Sequence, residues 1–321
     1  MKASVIVTTH ELKRFRDTVD AVASLINQTH SDIEVIVVVD RNRELYRKLS
    51  EVLPSSVRVF LSQAAGASAA RNLGVEQAKG ELVAFVDDDV VATRNWLSTL
   101  ISHYKDPDVI SVGGRINPLW STNAEPSIPE EIYWIIGCTY RGYPQIVSQV
   151  RNNFAGNISF RTYVLRRVSF SLVNQRVDGQ VLACEDTQLG LSILEEFPGK
   201  KILFDPEAIV YHRIYPYRTS FRYTITRAYS EGVSKAYIAC SVNRNLPALS
   251  REHEYFINLI TECVPSRVRK IAKRTDPARN GKYIALIFMV CAVVFFGYAT
   301  GILRYGVKAR QAKANVIRLG E

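Results

Sequence analysis

Three consecutive aspartates, Asp87-Asp88-Asp89, follow directly on an apolar stretch in the run Glu81-Leu-Val-Ala-Phe-Val-Asp-Asp-Asp-Val90. Carboxylates held side by side repel one another, so a cation must offset the cost of keeping them together. An all-oxygen donor set favours a hard divalent ion, Mg²⁺ or Mn²⁺, and such an ion in turn grips phosphate. The triplet is therefore a candidate metal–diphosphate site; its alternative is a solvated acidic turn. A second acidic pair, Glu185-Asp186, opens a stretch of helical periodicity in which Leu189 and Ile193 lie four apart. Taken alone, that pair reads as acids stabilising a helix N-terminus through its dipole, by about 0.3–1 kcal/mol. Asp40 ends another apolar run, where aspartate is a common turn residue, and His212 follows the apolar Ile209-Val-Tyr211.

The elements that must position these groups alternate between two periods over the first 115 residues or so. Strands are expected at Ser4–Thr8, Ile33–Val39, Val57–Leu61, Glu81–Val86 and Val109–Val112. Helices are expected at Asp17–Thr29, at Ser68–Lys79 with Gly80 as its C′ residue, and after a capping Asn95 with Leu97, Leu100, Ile101 and Tyr104 inward. The β-branched run Ile33–Val39 is that of a strand buried on both faces. Strand–helix alternation implies an α/β fold, a mostly parallel sheet with helices on both faces, which binds ligands outside the carboxyl ends of its strands. Thr8/Thr9, Asp40 and Asp87–Asp89 all sit at such ends, so the topology should bring them to one rim.

Ser-Val-Ile-Val-Thr-Thr at 4–9, Val-Val-Val-Asp at 37–40, Ala-Ala-Arg-Asn-Leu-Gly at 69–74 and Phe-Val-Asp-Asp-Asp at 85–89 together resemble glycosyltransferase family 2. The likeness continues through Asn157–Arg161, Cys184–Thr187 and Tyr211-His212. Within the family, Val112–Trp120, Glu131–Trp134 and Pro216–Thr219 resemble the archaeal glucosyl-dolichyl phosphate glucuronosyltransferases of N-glycan assembly. Arg227–Lys235, Pro265–Arg267 and the terminal apolar segment add to that likeness. The resemblance implies a GT-A (Rossmann-like) fold and a nucleotide-sugar donor. It implies that Asp40 binds the uracil or ribose, with Thr8 near the base and Arg71 on base or phosphate. It makes Asp87 a ribose or metal ligand, Asp89 the metal ligand, Asp88 a support of either, and His212 a completing group of the metal site. Asp186 becomes the catalytic base, with Glu185 second in line. Asn157 and Arg161 fall in an acceptor-side motif; Trp120, Tyr133 and Trp134 either stack on a sugar or pack a loop. Two departures point to a reshaped acceptor lip: Cys184 replaces the usual glycine, and residues 168–174 lack the usual Gly-Gly-Phe-Asp step.

Hydrophobic residues make up 47% of the chain and charged ones 22%, the balance of a globular protein. Five scattered cysteines without paired spacing argue against a zinc site or a disulfide framework. Tyr283–Leu303 is uncharged and mostly apolar; as a helix it would extend roughly 31 Å, enough to cross a bilayer. Its alternative is a buried core helix. The formal charge of +10 gathers around this run, from Arg267 to Lys282 before it and Arg304 to Arg318 after it. Such flanks attract anionic lipid, and no nucleic-acid reader motif competes for them. Met1-Lys2 leads straight into a strand, so a cytoplasmic catalytic domain is expected.

The organisation expected is a GT-A domain over 1–220, a basic, aromatic membrane-interfacial region over 221–282, a single transmembrane helix over 283–303 and a basic tail over 304–321. The expected activity is membrane-anchored, metal-dependent, inverting transfer of a sugar, glucuronate in the closest likeness, from a UDP-linked or other nucleotide donor. The acceptor is a sugar on dolichyl or polyprenyl phosphate. The alternatives are a synthase acting directly on the lipid phosphate, and a catalytically inert membrane-tethered scaffold.

Overall fold

A computed structural model describes residues 1–121, 127–171, 184–241 and 248–318, with side chains through Gly306. The chain divides into two compact units. The first comprises Met1–Trp120, Pro144–Gln175 and Glu185–Ile214; the second comprises Ser121–Tyr143, Arg176–Cys184 and Tyr215–Glu321.

The first unit opens with β1 (Ala3–Thr9), α1 (Phe15–Ile26), β2 (Ile33–Asp40), α2 (Arg43–Val52), β3 (Val57–Ser62), α3 (Ala67–Gln77) and β4 (Leu82–Asp87). It continues with β5 (Val90–Ala92), α4 (Trp96–Ser102), β6 (Val109–Trp120), β7 (Ser148–Gln149), β8 (Ile158–Arg161), α5 (Thr162–Arg167), α6 (Glu185–Glu196) and β9 (Lys201–Ile214). β1 to β4 are mutually parallel, and Val35–Val39 of β2 are buried on both faces, as the β-branched run requires. β8 enters antiparallel between β4 and β6, so the sheet is mixed, in the order β3-β2-β1-β4-β8-β6-β9-β5. β4 and β5 are separated by only Asp88 and Asp89 yet stand four places apart in that order. Three residue steps reach at most about 11 Å, whereas four strand spacings in a flat sheet need about 19 Å. The sheet must therefore curl, and the aspartate triplet lies at the fold of that curl.

Two local expectations change. The C-cap of α3 is Ala78, in extended geometry, and not Gly80. Gly80 serves close approach instead: a Cβ there would lie 2.7 Å from the Ser4 backbone nitrogen. Asn95 does hold the N-cap position of α4, but its side chain makes no capping bond; its carbonyl accepts from Thr99.

The second unit contains α7 (Phe221–Ser241), α8 (Ser250–Asn258), a π turn at Leu259–Cys263, α9 (Val264–Ala272) and α10 (Pro277–Arg318). Within Pro277–Gly306 the most apolar 18-residue stretch has a mean hydropathy of 2.4 and is mostly unburied, and Phe288, Phe295, Phe296 and Leu303 of the helix face outward. By length and composition it can cross a membrane, and most of its surface lacks protein cover. α7 lies directly on it. Cβ atoms at Gly232, Gly297 and Gly301 would meet Val294 O at 2.0 Å, Tyr229 O at 2.3 Å and the Ala236 side chain at 2.5 Å. Small residues thus let the two backbones touch, as in membrane helix pairs. Toward the middle of α7 the charges are paired: Lys235 Nζ lies 3.1 Å from Glu231 and 2.7 Å from Glu252.

Candidate active site

The parallel register delivers three strand ends to one rim. Thr8 stands opposite both Val38 and Asp87, and Asp40 opposite Ser62. Asp40 Oδ2 accepts from the Gly66 N–H at 2.8 Å, which ties β2 to the head of α3. Its other oxygen, Oδ1, is buried without a hydrogen bond, with Arg41 Nε 3.4 Å away. A buried acceptor left open in this way is an atom a ligand N–H or O–H can satisfy.

The aspartate triplet meets cations, but they are arginines of the chain itself. Asp87 Oδ1 lies 3.4 Å from Arg71 Nη2, and Arg71 Nη1 donates to Glu185 Oε2 at 2.9 Å. Arg71 is only 8% exposed; it bridges two acids and stacks on Phe170, rather than projecting into open solvent. Asp89, 3% exposed, lies 3.2 Å from Arg14 Nη1 through Oδ2 and 3.2 Å from His212 Nε2 through Oδ1. The antiparallel pairing of Val90 with His212 sets that second contact. Arg14 in turn donates to Asp17, which also accepts from Arg213 at 2.7 Å. Burial and the neighbouring Asp89 push the Asp88 carboxyl up to about 7, against the pull of a hydrogen bond from Thr9.

Asp186 opens α6 half-buried, and its Oδ2 accepts from the Ala155 N–H at 3.0 Å. Burial pushes its carboxyl up to about 6; the Arg71 charge is the largest influence in the other direction. A carboxyl poised there is mostly ionised at neutral pH yet basic enough to take a proton. Glu185 is tied to Arg71, which leaves Asp186 the better base.

Among the described residues, no three His, Cys, Asp or Glu side chains come together as a metal site. The donor chemistry nevertheless fits a divalent ion. Mg²⁺ commonly binds through one or two carboxylates together with substrate phosphates, and Asp89 and His212 already stand within one coordination sphere of each other.

Two motif residues have other duties. Asn157 is fully buried, donating to the Arg115 and Ala208 carbonyls and accepting from Trp96 Nε1 at 2.7 Å. Arg161 donates to the carbonyls of Val109, Tyr104 and Asp106. It pairs with Leu82, at the opposite end of β4 from Asp87. Both side chains tie distant segments of the first unit together. Trp134 donates to Tyr255, a packing contact. Much of the altered acceptor lip lies outside the described residues. Arg14 and Asp17 escape a reading of motifs; the signal that could have found Arg14 is the cluster of basic residues that follows β1, next to a triplet that needs cations.

The Glycosyl transferase family 2 model matches residues 4–169. The glucosyl-dolichyl phosphate glucuronosyltransferase of Haloferax volcanii is 30% identical over 308 residues, covering 94% of this chain and 97% of its own. The pre-mycofactocin glycosyltransferase of Mycobacterium tuberculosis is 30% identical over 175 residues, 54% of this chain and 35% of that one. Glycosyltransferase GlyG of Streptococcus pneumoniae is 24% identical over 182 residues, 56% and 58% of the two chains.

Proposed function

The chain belongs to glycosyltransferase family 2, and from that premise we propose that it transfers a sugar from a nucleotide donor to a sugar carried on dolichyl or another polyprenyl phosphate. The near full-length likeness to a glucosyl-dolichyl phosphate glucuronosyltransferase supports glucuronate as the sugar and the lipid-linked glucoside as the acceptor. The observation that carries the reading is the Arg71 bridge from Asp87 of the triplet to Glu185 beside Asp186, within the unit in which Asp40 is tied to Gly66 at the head of α3.

In this reading Asp40 Oδ1 accepts from the nucleoside, and Thr8 lies beside the base. Asp87, Asp89 and His212 would hold Mg²⁺ or Mn²⁺, which when bound neutralises charge on the departing diphosphate. Arg71 fixes Asp87 and Glu185, and its charge keeps Asp186 ionised. The acceptor hydroxyl attacks the anomeric carbon, and its proton passes to the Asp186 carboxylate. The bond from that carbon to the phosphate oxygen breaks, and the nucleoside diphosphate leaves with the electron pair. One displacement inverts the anomeric configuration. α10 as a single membrane span, with the catalytic unit on the cytoplasmic side, would confine the enzyme to the bilayer that holds its acceptor.

The test is turnover of UDP- and GDP-sugars by membranes carrying wild type, Asp89→Ala or Asp186→Ala. A polyprenyl-phosphate-linked glucose is the acceptor, with Mg²⁺ or Mn²⁺ present. Sugar added to the glycolipid by wild type alone is the expected result. Transfer only to bare polyprenyl phosphate would replace the proposed acceptor, and full activity of Asp186→Ala would remove the proposed base.

A further inference from the structure

A cavity of about 280 Å³ opens wholly within the second unit, beside the start of α10 and lined by cations. Its floor is fixed. Arg267, 6% exposed, makes a two-pronged pair with the fully buried Glu131, at 2.9 and 2.5 Å, and donates to Asn280 at 3.2 Å. Asn280 in turn donates to the carbonyls of Thr275 and Asp276, both at 2.9 Å, and so pins the loop between α9 and α10. That loop is strained: Arg274 and Asp276 hold left-handed backbone at φ 56° and 48°. Strained backbone held by surrounding bonds is a frequent property of ligand clamps.

The rim is different. Lys270 lines the cavity, is exposed, and its ammonium has no partner among the described residues. Arg141 and Arg279 complete the cationic lining, while Glu130 and Asp276 oppose it. Glu131 pairs with both Arg267 and, at 3.6 Å, Arg141, and Arg279 lies 3.9 Å from Asp276; counting Glu131, the four cations exceed the three acids by one, and the cation without an ion pair among the described residues is Lys270. A pocket with one excess positive charge, carried by the Lys270 ammonium over a floor held in place by the Arg267–Glu131 pair, suits a single phosphodiester anion. Its depth relative to α10 points the same way. Arg279 Nε donates to the Tyr283 hydroxyl at 3.0 Å, the Arg267 guanidinium lies 4.7 Å over the Tyr283 ring, and Tyr283 begins the apolar run. Tyrosines bordering an apolar span lie at headgroup level, and basic pockets at that level hold lipid phosphates.

We infer that this pocket binds the phosphate of an anionic membrane phospholipid, at a site separate from the carboxylate site of the first unit. The inference rests on α10 as a membrane span. Resistance of the full chain to alkaline carbonate extraction tests that premise by itself.

The pocket is tested by native mass spectrometry of the full chain in neutral detergent, with phosphatidylglycerol, phosphatidylcholine, a polyprenyl phosphate and inorganic phosphate as probes. The expected result is retention of phosphatidylglycerol over phosphatidylcholine. Lys270→Glu should weaken it about tenfold or more, and Lys270→Arg should retain it. Lys273→Glu, an equal charge change at an exposed position outside the pocket lining, should leave it within about twofold. Equal loss in the Lys270 and Lys273 charge reversals would reduce the binding to diffuse surface charge and overturn the inference. So would displacement of the lipid by inorganic phosphate, or a preference for polyprenyl phosphate, which would make the pocket part of acceptor binding.

Discussion

Arg71 and Asp186 predict a coupled pH dependence that separates a catalytic base from a merely helix-capping acid. Asp186 is pushed up to about 6, and Arg71 is the chief group restraining that rise. If Asp186 must be ionised to accept the acceptor's proton, turnover falls about tenfold per unit below pH 6 and is level above it. Arg71→Met removes the restraint and leaves Asp87 and Glu185 without their shared guanidinium. Both changes disfavour another negative charge, so the acid limb should move up by about one unit. At pH 6 the ionised fraction then drops from about one half to about one tenth, a loss of roughly fivefold that fades by pH 8. The assay is kcat for sugar transfer to a soluble short-chain acceptor from pH 5 to 8.5, each variant normalised to its own plateau. Asp186→Asn keeps an oxygen for the Ala155 N–H and should lose about 10²- to 10⁴-fold in kcat. A wild-type profile that is flat between pH 5 and 7, or a limb unmoved in Arg71→Met, would refute the assignment of the base.

Four further outcomes are expected. Asp186→Asn should be more stable than wild type above pH 6, by up to about 3 kcal/mol. The raised carboxyl penalises the folded state only where it ionises, so the gain should vanish below pH 4, as read by melting temperature at pH 8 and pH 4. Metal removal by chelation should abolish turnover, with Mn²⁺ or Mg²⁺ restoring it, and His212→Ala should raise the metal concentration needed without shifting the pH limb. Gly114→Ala places a Cβ 2.0 Å from the Ala208 carbonyl oxygen; with backbone on both sides it should cost about 3 kcal/mol or more in denaturant unfolding. Trp96→Phe leaves the buried Asn157 Oδ1 without its 2.7 Å donor and should cost about 1–3 kcal/mol by the same measurement.

The sequence exposed the parallel half of the sheet because each strand there is a short β-branched run between amphipathic helices, a pattern set locally. The rim followed from topology, since parallel strands with adjacent registers must end together. What was not legible depends on pairings between distant segments. β8 runs antiparallel, and nothing in Ile158–Arg161 announces its direction. Asn157 and Arg161 look like site residues by motif, yet their donors are spent on carbonyls far away in sequence. The acids around Arg71, Asp87 and Glu185, come from 16 residues after it and 114 after it and could not be read from its place at the head of a helix. The partners of Asp89, Arg14 and His212, come from 75 residues before it and 123 after it, and only the curl of the sheet unites them.

The glycine seam between α7 and α10 bears on any attempt to obtain this enzyme as a water-soluble fragment. Deleting a long apolar helix is the usual first cut, and here it would fall before Pro277. That cut would strip α7 of the partner whose backbone reaches Tyr229 O and lies against Gly232, uncovering a smooth apolar trough around Tyr229, Val233 and Ala236. A trough of that shape is apolar along its floor, and in water it would seek another copy of the same trough. The fragment should then aggregate or pair, whatever the condition of its catalytic unit. Solubilisation would need polar substitutions along the α7 side of the seam.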